Sequence, residues 1–127
     1  MSECLFCRIV SGDVPADVVA EAPRALAFRD ITPVAPTHVL VIPRTHLPNL
    51  AAVADAEPET LAAMVLLARQ VAELDGRAGT DDGETGIGPD GAGGYRLVAN
   101  TGRAAHQSVF HAHLHVLGGR PMSWPPG

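Results

Sequence analysis

Three histidines, His111, His113 and His115, alternate with apolar residues in the run Phe110-His111-Ala112-His113-Leu114-His115-Val116-Leu117. Successive side chains of a β-strand point to opposite faces. A strand here therefore puts the three imidazoles on one side and Phe110, Ala112, Leu114 and Val116 on the other. Near neutral pH an imidazole can be nucleophile, acid, base or metal ligand, so this row reads as a chemical face rather than a packing one. The other histidines, His38, His46 and His106, lie close to further features of interest. A second candidate group is Cys4 and Cys7, whose C-x-x-C spacing sets both sulfurs on one side of a helical turn, where they could grip one ion. That spacing alone also fits a buried cysteine pair or a redox pair, the last being the weaker reading because no strand precedes it.

The elements that must hold these groups have little aromatic material to work with. Of the 127 residues, 46% are hydrophobic and 4% aromatic, so a single domain over residues 1–127 with a core of Val, Leu, Ile and Ala is expected. The net charge of −5 argues against a nucleic-acid backbone as the main partner, whereas a small anionic ligand needs only local donors. Met1-Ser2-Glu3 opens no charged-then-apolar leader, and no apolar run is long enough to span a bilayer. The expectation is a cytoplasmic protein without a membrane partner, where a cysteine pair points to metal or redox use rather than a structural disulfide.

Along the chain, helical spacing predicts a short helix over 4–10, stopped by Ser11-Gly12-Asp13. Strands are predicted over 18–21 and 25–29, and a third over 38–43 that Pro43 ends. Its two apolar faces make it central, with His38, Leu40 and Ile42 on one side. Residues 44–49 form a connector carrying His46. A long helix from 58 to about 75 is expected to bury Leu61, Met64, Val65, Ala68, Val71, Ala72 and Leu74, with Asp55 or Glu57 serving its N-terminus. Its Glu59, Arg69, Gln70 and Glu73 form a solvated face. Residues 76–94 are rich in glycine and aspartate and read as a flexible loop; the ligand spacing of a calcium-binding EF-hand is missing. A fourth strand over 95–100 and a loop over 103–108 deliver the chain into the histidine strand. The tail 118–127 is proline-rich and carries Trp124, a residue suited to docking on something apolar.

Three chemistries can use an H-x-H-x-H strand: a catalytic metal centre with two of the histidines as ligands, nucleophilic attack by one imidazole, or plain anion binding. Asn100, Gln107, Ser108 and the backbone N–H groups of the 102–108 loop flank the strand entrance and favour phosphate as the anion. Asp30, at a strand end, could accept hydrogen bonds from ribose hydroxyls or could simply form a turn.

The run from His111 to Leu117 resembles the H-φ-H-φ-H-φ-φ signature of the histidine triad (HIT) family of nucleotide hydrolases and transferases. The tail from Leu117 to Gly127 resembles that of the Hint branch, as do 27–33, 35–43 and 107–110. The resemblance covers nearly the whole chain apart from the glycine-aspartate loop. It implies an α+β domain with one long and one short helix and a five-stranded antiparallel sheet that is extended across a homodimer. It also implies hydrolysis of purine nucleoside 5′-phosphoramidates and related adenylates, releasing AMP or GMP.

Carried to this chain, the resemblance makes His113 the nucleophile and His115 a hydrogen-bond donor to the phosphate. Ser108 would help the leaving group, the backbone carbonyl of His111 would hold the His113 tautomer, and His38 would buttress the triad. The nucleotide would meet Phe28 and Ile31 at the base, Asp30 at the ribose, and Asn100, His106, Gln107 and Ser108 at the phosphate, with Trp124 reaching toward the partner's site. His106 stands where that branch usually has glycine and Phe110 where it has tyrosine, which bears on leaving-group preference. The resemblance extends to a structural zinc held by Cys4, Cys7, His46 and His111, a closed S₂N₂ set. The rival functions are dinucleoside polyphosphate hydrolysis, a metalloenzyme centred on the triad, and a non-catalytic nucleotide-binding protein.

Overall fold

A computed structural model describes residues 4–77 and 93–127. Five strands form one antiparallel sheet in the order β1-β2-β3-β5-β4: β1 Val18–Glu21, β2 Ala25–Arg29, β3 Thr37–Pro43, β4 Tyr95–Val98 and β5 Leu114–Gly118. Every residue of β3 is buried, as its two apolar faces require. β4 is half-buried throughout and, among the described residues, pairs only with β5, which makes it an edge of this sheet. Together with its helices the sheet gives an α+β fold.

The alternation along the strands divides the core in two. Ala25 and Ala27, Val39 and Val41, and Leu114 and Val116 face helix α3, Pro58–Leu74, and pack on its Met64, Leu67, Ala68 and Val71. The opposite face carries Leu26, Phe28, Leu40 and Ile42 and is covered by Phe6 of helix α1, Leu5–Ser11. The α3 face holds the larger apolar core. The α1 face is where the histidines emerge.

The helices have clear local causes. Cys4 caps α1, its Sγ accepting from Cys7 N–H at 3.4 Å, and Gly12 ends it in the left-handed conformation that costs glycine least. Pro58 sits in the first turn of α3, where a missing N–H does no harm. The described residues contain a third helix, α2, Leu50–Ala56, where one long and one short helix were expected. Asn49 caps it by accepting from Ala52 N–H at 2.9 Å. Only Val53 of α2 is buried, so its alanine-rich sequence gave no periodic stripe.

The apolar face of α3 differs in detail from the expected stripe. Val65, Leu66 and Leu74 are exposed, whereas Leu67 and Thr60 are buried. Glu57 does not cap α3 by a side-chain bond to its backbone; its carboxylate accepts from Thr60 Oγ instead, and Asp55 lies inside α2. The predicted loop at 76–94 falls mostly outside the described residues. Among the described residues no helix is long and apolar enough to cross a membrane.

Candidate active site

The histidine run is only partly strand. Alternation holds, with Ala112, Leu114 and Val116 in the α3-facing core, yet β5 begins at Leu114, after His111 and His113. The ladder with β3 runs out because Pro43 closes β3 and gives its carbonyl to His111 Nε2–H at 2.9 Å. Ala112 N–H turns to Leu47 O, 2.7 Å away, rather than to a strand. Phe110 does not join the core; it is exposed, with the Arg103 guanidinium 5.1 Å from its ring.

Each imidazole has its tautomer set by what it faces. His113 Nδ1 is 2.8 Å from the backbone carbonyl of His111. A carbonyl can only accept, so Nδ1 carries the proton and Nε2 keeps its lone pair. The Val34 N–H donates to His38 Nδ1 at 3.1 Å, which leaves the proton of a neutral His38 on Nε2. That Nε2 is 2.9 Å from His115 Nδ1 and 3.4 Å from Asp30 Oδ2. His115 then accepts at Nδ1 and has its own N–H on Nε2. The two rings at the site thus differ: His113 offers a lone pair, His115 a donor.

Burial favours the neutral form of His115 and His38. Desolvation, aided by the neighbouring His113 and His38, pushes the His115 pKa from 6.5 down to about 4. Desolvation also lowers that of His38, against the opposing pull of Asp30. Asp30, His38 and His115 bring three ligand-type atoms together, but the Nδ1 and Nε2 of His38 are both committed, so the set works as a hydrogen-bonded relay rather than a metal cage.

His113, His115, Asp30 and Ser108 line two clefts at once. One, of about 560 Å³, is walled by Phe6, Ile9, Phe28, Leu40 and Val109, with Ile31 almost fully exposed at its rim. The other, of about 400 Å³, is lined by Thr32, His38, Asn100 and His106. An apolar lobe and a polar lobe meet at the two rings. Phe6, absent from the sequence-based site, packs edge-on against His113 with centroids 5.2 Å apart and against Phe28 at 5.7 Å. Its place between the two cysteines was the available signal. Val34 and Pro43 were also missed, because backbone groups leave no side-chain pattern.

The 102–108 loop supplies fewer donors than expected. The Gln107 side chain is buried and turned inward, accepting from Gly102 N–H and donating to Pro48 O and Val109 O, so it clamps the loop rather than facing the cleft. The N–H groups of Ala105, His106 and Gln107 are bound to Gly102 O and Arg103 O. Ser108 is exposed to both clefts and Asn100 to the polar one. Asp30 makes the turn, accepting from Thr32 N–H through Oδ1, and still lines both clefts. Trp124 is 81% exposed on the tail, with the Arg96 guanidinium 6.0 Å from its ring.

Cys4, Cys7, His46 and His111 converge on one point. Cys4 Sγ and Cys7 Sγ are 3.4 and 3.5 Å from His111 Nδ1, Cys7 Sγ is 3.2 Å from His46 Nδ1, and the two Nδ1 atoms are 3.2 Å apart. A tetrahedron built on metal–nitrogen and metal–sulfur bonds of about 2.0 and 2.3 Å has edges of roughly 3.3–3.8 Å, close to these separations. The Pro43 carbonyl fixes the His111 proton on Nε2, turning the Nδ1 lone pair to the cysteines as a ligand requires. The donor set fits a metal ion.

The HIT domain family model matches residues 11–122. A HIT-like protein of Synechocystis sp. (strain ATCC 27184 / PCC 6803 / Kazusa) is 42% identical over 125 residues, 98% of this chain and 97% of that protein. The crystal structure of a HIT family hydrolase from Legionella pneumophila Philadelphia 1 aligns with a TM-score of 0.81 at 44% identity, over 98% of this chain and 100% of that one. A histidine triad nucleotide-binding protein from Candida albicans aligns with a TM-score of 0.78 at 30% identity, over 97% of this chain and 83% of that one.

Proposed function

The chain belongs to the HIT domain family, and from that premise we propose that it hydrolyses purine nucleoside 5′-phosphoramidates and related adenylates through a nucleotidyl-histidine intermediate. The observation that carries the reading is the 2.8 Å bond from His113 Nδ1–H to the His111 carbonyl, which leaves the Nε2 lone pair at the seam of the two clefts. Nε2 attacks the α-phosphorus, the P–N bond breaks, and water then releases AMP or GMP. His115 donates from Nε2 to a phosphate oxygen, and its neutrality suits a donor that must not repel a cationic intermediate on His113. The apolar lobe, with Phe28 and Ile31, takes the base; Asp30 takes the ribose hydroxyls; Ser108 and Asn100 close on the phosphate.

A zinc ion held by Cys4, Cys7, His46 and His111 belongs to the same reading. When bound it supplies structure, pinning α1 to the segment before β5. The reading also includes a homodimer in the cytoplasm, one HIT domain per chain. The unpaired edge of β4 and the exposed Trp124 support it, Trp124 shaping the leaving-group side of the partner's site. The experiment is to mix the protein with an adenosine phosphoramidate, quench within one turnover, and map the nucleotide adduct. An AMP group on His113 is expected; turnover with no adduct, or an adduct elsewhere, would reject the mechanism.

A further inference from the structure

Breaking a P–N bond leaves an amine that must gain a proton as it departs, and the side chains already placed around the phosphate supply hydrogen bonds rather than that proton. His113 has its Nδ1–H on the His111 carbonyl, and its Nε2 is the atom that bonds phosphorus. His115 is neutral, its pKa pushed down to about 4, and its Nδ1 faces His38. His38 is buried behind His115, tied to Val34 N–H and facing Asp30. Asp30 accepts from Thr32 N–H, and Ser108 has only a hydroxyl, a weak acid. Of the titratable side chains lining the polar lobe, His106 is the one that these roles leave available.

His106 is also set apart by its backbone. Among the described residues it is the one non-glycine with a positive φ, 70° with ψ 29°, and its N–H closes the 3₁₀ turn Arg103–Ala105 on Arg103 O. A β-carbon is disfavoured there, and the exposed ring is not kept for packing. The one charged neighbour on its own turn, Arg103, lies over Phe110. A ring that can give a proton and take it back is thus held at the mouth of the cleft at some conformational cost.

We propose that His106 is the acid that protonates the departing amine, which extends the function proposed above to its leaving group. As the His113 Nε2–P bond forms and the P–N bond breaks, the amine nitrogen keeps the bonding pair and takes the proton of the His106 imidazolium. In the second step water attacks phosphorus, the P–Nε2 bond breaks back to a neutral His113, and the water proton returns to His106. Substrates with basic alkylamine leaving groups gain most. Arylamines, which leave without full protonation, gain little.

The test compares the full chain with His106→Gly and His106→Asn on adenosine 5′-phosphoramidates whose amines run from aryl to alkyl, reading adduct formation within a single turnover. Both replacements suit a left-handed backbone, so thermal stability should hold or rise. The expected result is a loss of about 10²-fold for alkylamines in both variants, shrinking toward none for arylamines. An equal loss across the series, or none for alkylamines, overturns the acid role while leaving the nucleophile standing. A wild-type protein that forms no adduct overturns the proposed function and this inference with it.

Discussion

Two groups of histidines stand within a few residues of one another and are put to opposite uses. In the cysteine cluster, the Pro43 carbonyl holds the proton of His111 on Nε2, and the Nδ1 lone pair joins His46 Nδ1 and two sulfurs around one point. In the cleft, the His111 carbonyl holds the proton of His113 on Nδ1, and Nε2 faces the two lobes. The side-chain type is the same. The difference is which nitrogen a neighbouring carbonyl occupies, and His111 takes part in both, by its ring in one and its backbone in the other.

The largest break in that contrast is at the cleft. His113→Ala should lower turnover by roughly 10⁵-fold while AMP binding, measured by calorimetry, survives; retention of activity would remove the nucleophile from the account. Next is the cluster. Purified protein should contain one zinc per chain, and Cys7→Ser should shed it. The cost in stability should be on the order of 4 kcal/mol where free zinc stands a thousandfold above its Kd, read as a fall in thermal midpoint. Unchanged metal content and midpoint would reduce the cluster to a packed cysteine pair.

A smaller effect at the cleft is read in the pH dependence of stability. His115 has a folded pKa of about 4 against an ordinary 6.5, so the unfolded chain binds its proton first. Its contribution is therefore full above 6.5 and is lost as pH falls toward 4, up to about 3 kcal/mol. His115→Gln should flatten that part of the stability curve in urea titrations. The loss set by Asp75 should remain. Its carboxyl is held low by bidentate hydrogen bonds from Arg29, and its contribution is lost only as pH falls through that depressed value. An unchanged slope between pH 6.5 and 4 in His115→Gln would show that His115 is not the titrating group.

The smallest effect tests the relay. His38→Gln lets His115 turn over its tautomers, and kcat/KM should fall by about tenfold to a hundredfold with KM for nucleotide little changed. A variant as active as the parent would mean that His115 needs no orientation from behind.

Several elements were legible in advance because local chemistry and packing agree on them. β2 and the start of α3 at Pro58 lie where the residues put them, and β3 is central because both its faces are apolar. The α2 helix was not, since seven mostly small residues that bury only Val53 carry no stripe, though Asn49 marked its cap. The exposure of Val65 and Leu74 was hidden by composition: α3 has more apolar residues than its contact face has room for, so rotation on the sheet decides which are covered. Gln107 read as a donor to the ligand, and only the folded loop shows its amide consumed by three backbone groups.

The sequence by itself determined which side chains could do chemistry here: the period-two row of imidazoles, the cysteine pair and the strands flanking them follow from residue type and spacing. Tertiary structure alone decided which nitrogen of each ring is available. That choice depends on carbonyls and N–H groups at Pro43, Val34 and His111, one of them 68 residues from the ring it faces, and a backbone group takes its position from the fold rather than from the identity of the residue that carries it.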